Sequence, residues 1–148
     1  MHPIQIFLVE DNEGDIVLIQ EGFEDAKILI SMTVARDGAE AIKKLQKMAT
    51  VETGQLPDLI LLDINLPKKN GHEVLGVLKN DPVLKKIPII VLTTSSSDLD
   101  VFKAYDLHAN CYIVKPIEIG EFIKVVTRIE DFWLTVVKLP KKSPHEEG

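Results

Sequence analysis

Short apolar runs alternate along the chain with longer stretches in which apolar residues recur every three or four positions. Ile4–Val9 (IQIFLV) predicts a buried strand, and Ile16, Ile19 and Phe23 predict a helix after it. The pairing then repeats. Met32–Ala35 is β-prone and is followed by Ile42, Leu45 and Ala49 at helical spacing. Leu59–Leu62 precedes Val74, Leu75 and Leu78, and Pro88–Leu92 precedes Leu99, Phe102 and Ala104. Cys111–Val114 precedes an apolar stripe of Ile119, Phe122, Ile123, Val126, Ile129 and Trp133. The punctuation agrees: Glu10-Asp11-Asn12 offers caps for the first helix, Gly71 opens the third, and Ser97 caps the fourth. Pro88 stands at the first position of its strand, where no ladder donor is missed. Thr50–Pro57 reads as a polar linker and Pro140–Gly148 as a flexible tail.

Strands alternating with helices predict βαβ units, a parallel sheet and right-handed crossovers. The near-continuous apolar strands fit a sheet covered on both faces. One domain is expected, over residues 4–139, with 140–148 as the tail.

Four of the five strands end on a polar or charged group that packing does not require: Glu10 and Asp11, Asp63, Thr93, and Lys115. Ligands of an open parallel sheet bind outside the carboxyl ends of its strands, so these residues are expected to converge on one cleft. Three carboxylates together need a raised pKa or a cation among them. Oxygen donors without His or Cys suit Mg²⁺, with Glu10 or Asp11, Asp63 and the backbone carbonyl of Asn65 as candidate ligands. Lys115 would add a fixed positive charge and Thr93 a hydroxyl donor. Such a set around one carboxylate serves phosphoryl transfer, with that carboxylate as nucleophile.

Composition narrows the alternatives. The 148 residues are 45% hydrophobic and 27% charged, an ordinary globular balance. A net charge of −6 argues against non-specific nucleic-acid binding. Cys111 is the only cysteine, so neither an intramolecular disulfide nor a cysteine zinc site is possible. The four histidines, His2, His72, His108 and His145, show no ligand spacing. No run approaches the ~18 apolar residues of a membrane span, and Met1-His2-Pro3 does not open like a signal peptide, so a soluble cytoplasmic protein is expected.

Taken together, FLVEDN (7–12), ARDGAEA (35–41), LILLDINLPKKNGHEVL (59–75), IPIIVLTTS (87–95) and NCYIVKP (110–116) resemble the receiver domain of two-component response regulators. The resemblance implies a flavodoxin-like (βα)5 fold, a doubly wound parallel sheet of order 2-1-3-4-5. It implies Asp63 as phosphoacceptor, Asp11 as direct Mg²⁺ ligand, and Glu10 beside it or acting through water. Thr93 and Lys115 would contact the phosphoryl group, Tyr112 would be the switch aromatic, and the Lys115–Pro116 bond would be cis. Two positions depart from the family pattern. Thr94 stands where Ala or Gly is usual, which alters access to the phosphoryl site, and His108 stands where a turn usually has Gly, which argues against a left-handed backbone there.

A narrower likeness, carried by LPKKNG, LTTS, LHANCYIVKP and FWLTVVKLP (132–140), is to small stand-alone regulators paired with cyanobacterial and bacterial phytochromes. It implies a histidine kinase as donor, with a phytochrome as the candidate. It also implies a homodimer through the last-helix face or the FWLTVVKLP ending, and no direct DNA binding or membrane contact. Output would pass through protein contacts, a dimer change or a phosphorelay. An enzyme is the competing class. Phosphatases of the haloacid dehalogenase type use the same groups but carry D-x-D, and here Asp63-Ile64-Asn65 has an Asn that cannot relay a proton. A phosphate-independent binding module would not need Asp11, Asp63, Thr93 and Lys115 together. A flavin carrier would need a phosphate loop after the first strand.

Overall fold

The computed structural model describes residues 3–24, 29–51 and 56–140. The polar linker around 52–55, the tail from 141 on, His2 and His145 lie outside the described residues. Five strands, β1 (Ile4–Val9), β2 (Ile30–Ala35), β3 (Leu59–Leu62), β4 (Ile89–Thr93) and β5 (Cys111–Val114), form one sheet of order β2-β1-β3-β4-β5. Every pairing is parallel. Five helices connect and cover them: α1 (Glu13–Glu24), α2 (Gly38–Val51), α3 (Gly71–Asn80), α4 (Asp98–Asp106) and α5 (Ile119–Ile129). A 3-10 turn at Leu84–Lys86 leads into β4, and α5 runs on as π-helical turns over Glu130–Val136.

Strand alternation sorts the core into two layers, because successive side chains point to opposite faces. Phe7, Val9, Ile60, Leu62, Ile89 and Val91 face α2 and α3. Ile6, Leu8, Leu59, Leu61, Ile90 and Leu92 face α1 and α5, where they meet Ile16, Ile19, Phe122 and Val126. All twelve of these strand residues are at most 2% exposed, as a sheet covered on both faces demands. Each such side chain contributes about 1.5–3 kcal/mol on burial.

The helical stripes differ in how far they are buried. Ile16, Ile19 and Phe23 of α1 and Val74, Leu75 and Leu78 of α3 are all buried. On α4 only Ala104 is buried, while Leu99 is 60% and Phe102 67% exposed. On α5 Phe122, Val126 and Ile129 are buried but Ile119 and Ile123 face outward. The expected last helix reaches Trp133 only through the π-helical turns, where Leu134 is buried and Phe132 stands edge-on to Trp133 at 6.0 Å. Helix α2 also runs two residues into the expected linker, to Val51.

Candidate functional site

The groups at the strand ends do converge. Backbone ladders fix them: Asp63 N–H donates to Val9 O (3.0 Å), Glu10 N–H to Ala35 O (3.0 Å), and Lys115 N–H to Thr93 O (2.7 Å). Glu10, Asp63, Thr93 and Lys115 are therefore each the last residue of a strand or the first residue beyond one. Glu10, Asp63, Thr93 and Lys115 are the buried polar and charged residues of the described chain.

Lys115 is the hub. Its Nζ donates to Glu10 Oε1, to Asp15 Oδ2 at 2.9 Å and to Asp63 Oδ2 at 3.2 Å. Burial by itself would lower the Lys115 pKa, but the hydrogen bond to Glu10 and the charges of Asp63 and Glu10 outweigh it and hold the ammonium above its usual range. Burial raises the Glu10 carboxyl and the charge of Asp63 raises it further, to about 7, against the pull of Lys115. The excess of negative over positive charge in the cleft contributes to both shifts, while burial adds to the one at Glu10 and opposes the one at Lys115.

Glu10, Asp11 and Asp63 each bring a carboxylate oxygen within 4.8 Å of the others, with Asp11 exposed and the other two buried. An all-oxygen, over-negative cluster fits a hard divalent cation, which would relieve the repulsion without a proton. Asn65 is exposed beside it, and its N–H donates to Asp63 Oδ1 at 3.1 Å, which orients the carboxylate. Thr93 is fully buried, and its Oγ1 has no hydrogen-bond partner among the described residues. A buried hydroxyl without a partner costs about 1–3 kcal/mol. Its place at the end of β4, between the strands that carry Asp63 and Lys115, makes it a donor awaiting an acceptor.

The loop after Asp63 is held by two glycines. A Cβ on Gly71 would lie 2.4 Å from Asp63 O, and one on Gly38 would lie 1.9 Å from Lys69 O. Lys68 between them takes a left-handed φ of 67°. The start of α2 and the start of α3 thus clamp the loop after Asp63 from both ends.

Tyr112 is half-buried, and its hydroxyl donates to Ser95 O at 2.8 Å, so the aromatic is tied to the loop that follows Thr93. Thr94 is exposed.

Two expectations fail. No peptide bond among the described residues is cis, so Lys115–Pro116 is trans. Trans is the favoured isomer by about 0.5–1 kcal/mol, and Lys115 is aimed by its carboxylate partners and its backbone bond to Thr93 rather than by the proline. His108 does adopt the left-handed backbone that a side chain there argued against, at φ 72°. Histidine tolerates this region better than most residues, and the backbone bonds His108 N–H to Tyr105 O and Ala109 N–H to Ala104 O hold the turn. Asp15 went unforeseen. The available signal was its place one turn beyond Asp11, on the side of α1 that faces the cleft.

A doubly wound five-stranded sheet with acids, a hydroxyl and a lysine at its carboxyl edge defines a receiver module. The family model for the response regulator receiver domain matches residues 6–127, and the chain belongs to that family. The chain is 46% identical over 138 residues to response regulator Rcp1 of Synechocystis sp., covering 93% of this chain and 94% of that protein. It is 39% identical over 132 residues to the probable methanogenesis regulatory protein FilR2 of Methanothrix harundinacea, covering 89% and 84%. The structure of the phosphorylated cyanobacterial phytochrome response regulator RcpA superposes with a TM-score of 0.89 at 46% identity, covering 95% of this chain and all of that one. The Mn²⁺-bound form of Rcp1 superposes at 0.88 with 45% identity, covering 94% and 100%.

Proposed function

We propose that Asp63 accepts a phosphoryl group from the phosphohistidine of a histidine kinase, with Mg²⁺ held by Asp11, Asp63 and the Asn65 carbonyl and with Glu10 beside it. One observation carries the reading: a buried carboxylate lies 3.2 Å from a buried ammonium, in a cleft that also holds a hydroxyl without a partner. An Asp63 oxygen forms a bond to phosphorus as the P–N bond breaks, and the leaving electron pair stays on the imidazole nitrogen. When bound, Mg²⁺ would neutralise charge on the carboxylates and on the phosphoryl oxygens. Lys115 exchanges its hydrogen bond to Asp63 Oδ2 for one to a phosphoryl oxygen, and Thr93 Oγ1 donates to another.

The new group carries roughly −1.5 to −2 charge by analogy with other phosphorylated side chains. Drawing Thr93 toward it moves the loop to Ser95, to which Tyr112 is tied. The change reaches the face of α4, β5 and α5, where Leu99, Phe102, Val114, Ile119 and Ile123 are exposed. An apolar face of that kind suits a protein partner or a second copy of the chain, so output is read as a change in protein contacts, with a homodimer among them. The likeness to RcpA and Rcp1 supports a phytochrome-type kinase as donor. Hydrolysis of the phosphorylated form is slow in this reading, because exposed Asn65 supplies no acid or base.

Incubation with Mg²⁺ and acetyl phosphate, followed by intact-mass measurement, tests the proposal. Wild type gains one base-labile phosphate, and Asp63→Asn gains none. Equal gain by the two proteins, or no gain by wild type, refutes it.

A further inference from the structure

Asp15 is the third helical residue of α1, counted from Asn12, whose side chain accepts from Asp15 N–H at 2.9 Å. An acid at this position ordinarily reaches back to the N–H of the capping residue. In α3 it does so: Glu73 Oε1 accepts from Asn70 N–H at 3.3 Å. In α1 that N–H is already taken, because Asn12 N–H donates to Glu10 Oε2 at 3.2 Å. The Asp15 carboxylate is released from the cap and turns to Lys115 Nζ.

The three acceptors of Lys115 are not equivalent. Glu10 and Asp63 are buried, and each has a second task, at the cation cluster or as the phosphoryl acceptor. Asp15 stands outside that cluster at the rim, its side chain 25% exposed against 2% for Lys115. Once a cation draws on Glu10 and a phosphoryl group occupies Asp63, Asp15 is the acceptor of Lys115 that remains free of other duty.

From this geometry we infer that Asp15 is a positioning residue for phosphoryl transfer: it tethers the Lys115 ammonium at the cleft rim, so that the lysine can leave the Asp63 carboxylate for a phosphoryl oxygen without leaving the site. The inference rests on the receiver reading above. Without the tether Lys115 divides between Glu10 and Asp63, and the nucleophile stays masked by the cation beside it.

The test uses the full chain with Asp15→Asn and Asp15→Glu. In protein without metal or phosphodonor, NMR follows hydrogen exchange of the Lys115 ammonium. Asp15→Asn speeds it by about fivefold to tenfold, the effect of weakening one hydrogen bond, while backbone amides of β1, β3 and β5 keep their protection. A merely helix-capping role for Asp15 would not move that signal. With saturating Mg²⁺ and acetyl phosphate, Asp15→Asn slows phosphorylation about tenfold, and Asp15→Glu, which keeps the charge, recovers to within about threefold of wild type. Ammonium exchange unchanged in Asp15→Asn overturns the tether. A changed exchange with an unchanged rate, or an Asp15→Glu as slow as Asp15→Asn, overturns its role in transfer. If wild type itself takes up no phosphate, the receiver reading fails, and the ammonium signal still decides whether Asp15 holds Lys115.

Discussion

Helices α1 and α3 begin with the same local pattern, an asparagine cap followed three residues later by an acid. In α3 the two residues satisfy each other: Asn70 Oδ1 accepts from Glu73 N–H at 3.0 Å and Glu73 returns the bond. In α1 the cap is made by Asn12 in one direction only, and the acid serves Lys115 instead. What separates them is the residue two positions before the cap. Glu10 ends a buried strand beside an ammonium and covers the cap N–H, whereas Lys68 before Asn70 is exposed and left-handed. Helix α3 closes on itself and braces the loop. Helix α1 gives up part of its own capping to furnish the site. Removing parts of the two regions should therefore have unlike consequences.

The largest contrast is expected at the hub. Lys115→Met leaves Glu10 and Asp63 buried without their cation, a type of change that costs about 3–5 kcal/mol. In metal-free urea unfolding the variant should lose stability of that order. Saturating Mg²⁺ should recover much of it, since a ligand that binds only the folded state stabilises by mass action. A loss that Mg²⁺ does not touch would mean that Lys115 works mainly as packing.

The next contrast sets Gly71 against Gly14. A Cβ on Gly71 meets backbone at 2.4 Å from Asp63 O and 2.5 Å from Ile64 Cα, neither of which can yield without moving the loop after Asp63. Gly71→Ala should cost about 3 kcal/mol by overpacking and weaken Mg²⁺ binding with it. At Gly14 a Cβ meets only Asn12 Oδ1, at 3.3 Å. There the helix gains about 0.5–1 kcal/mol from Ala, offset by a small shift of the cap, and Gly14→Ala should stay within about 0.5 kcal/mol of wild type. Calorimetric melting of both variants measures the difference, and equal costs would contradict the clamp.

Much of this could be read from the chain, for reasons that differ by residue. Ile60, Leu61 and Leu62 are uninterrupted apolar residues because both faces of β3 are covered, and a run of that kind before Asp63 is a strong signal. The site followed from the rule that parallel strands present their carboxyl ends to ligands. Asp15 did not follow, because its role depends on which acceptor holds the Asn12 N–H, a fact of three-dimensional competition. The exposed positions of Leu99 and Phe102 were equally hidden: helical spacing marks an apolar stripe without saying whether it faces the core or a partner. At His108 the backbone bonds of the turn outweighed the residue's preference.

The smallest contrast is the most discriminating. Glu73→Gln and Asp15→Asn each remove one charge from the first turn of a helix, where acids are favoured by about 0.3–1 kcal/mol. Both should therefore lower stability by about 0.5 kcal/mol, a shift near the limit of denaturant titration. Their effects on the cation should diverge. Glu73 is exposed, pairs with Lys69 at 3.9 Å, and has no bond to the acidic cluster, so Glu73→Gln should leave Mg²⁺ affinity unchanged. Asp15→Asn removes a negative charge that offsets Lys115, leaving the ammonium to compete more strongly for Glu10 and Asp63. Its Mg²⁺ affinity should fall about threefold, measured by calorimetric titration of the metal alone at low ionic strength. Equal loss in the two variants would show that Mg²⁺ responds to the summed charge of the protein. A loss confined to Asp15→Asn would show that it responds to the partner Lys115 keeps.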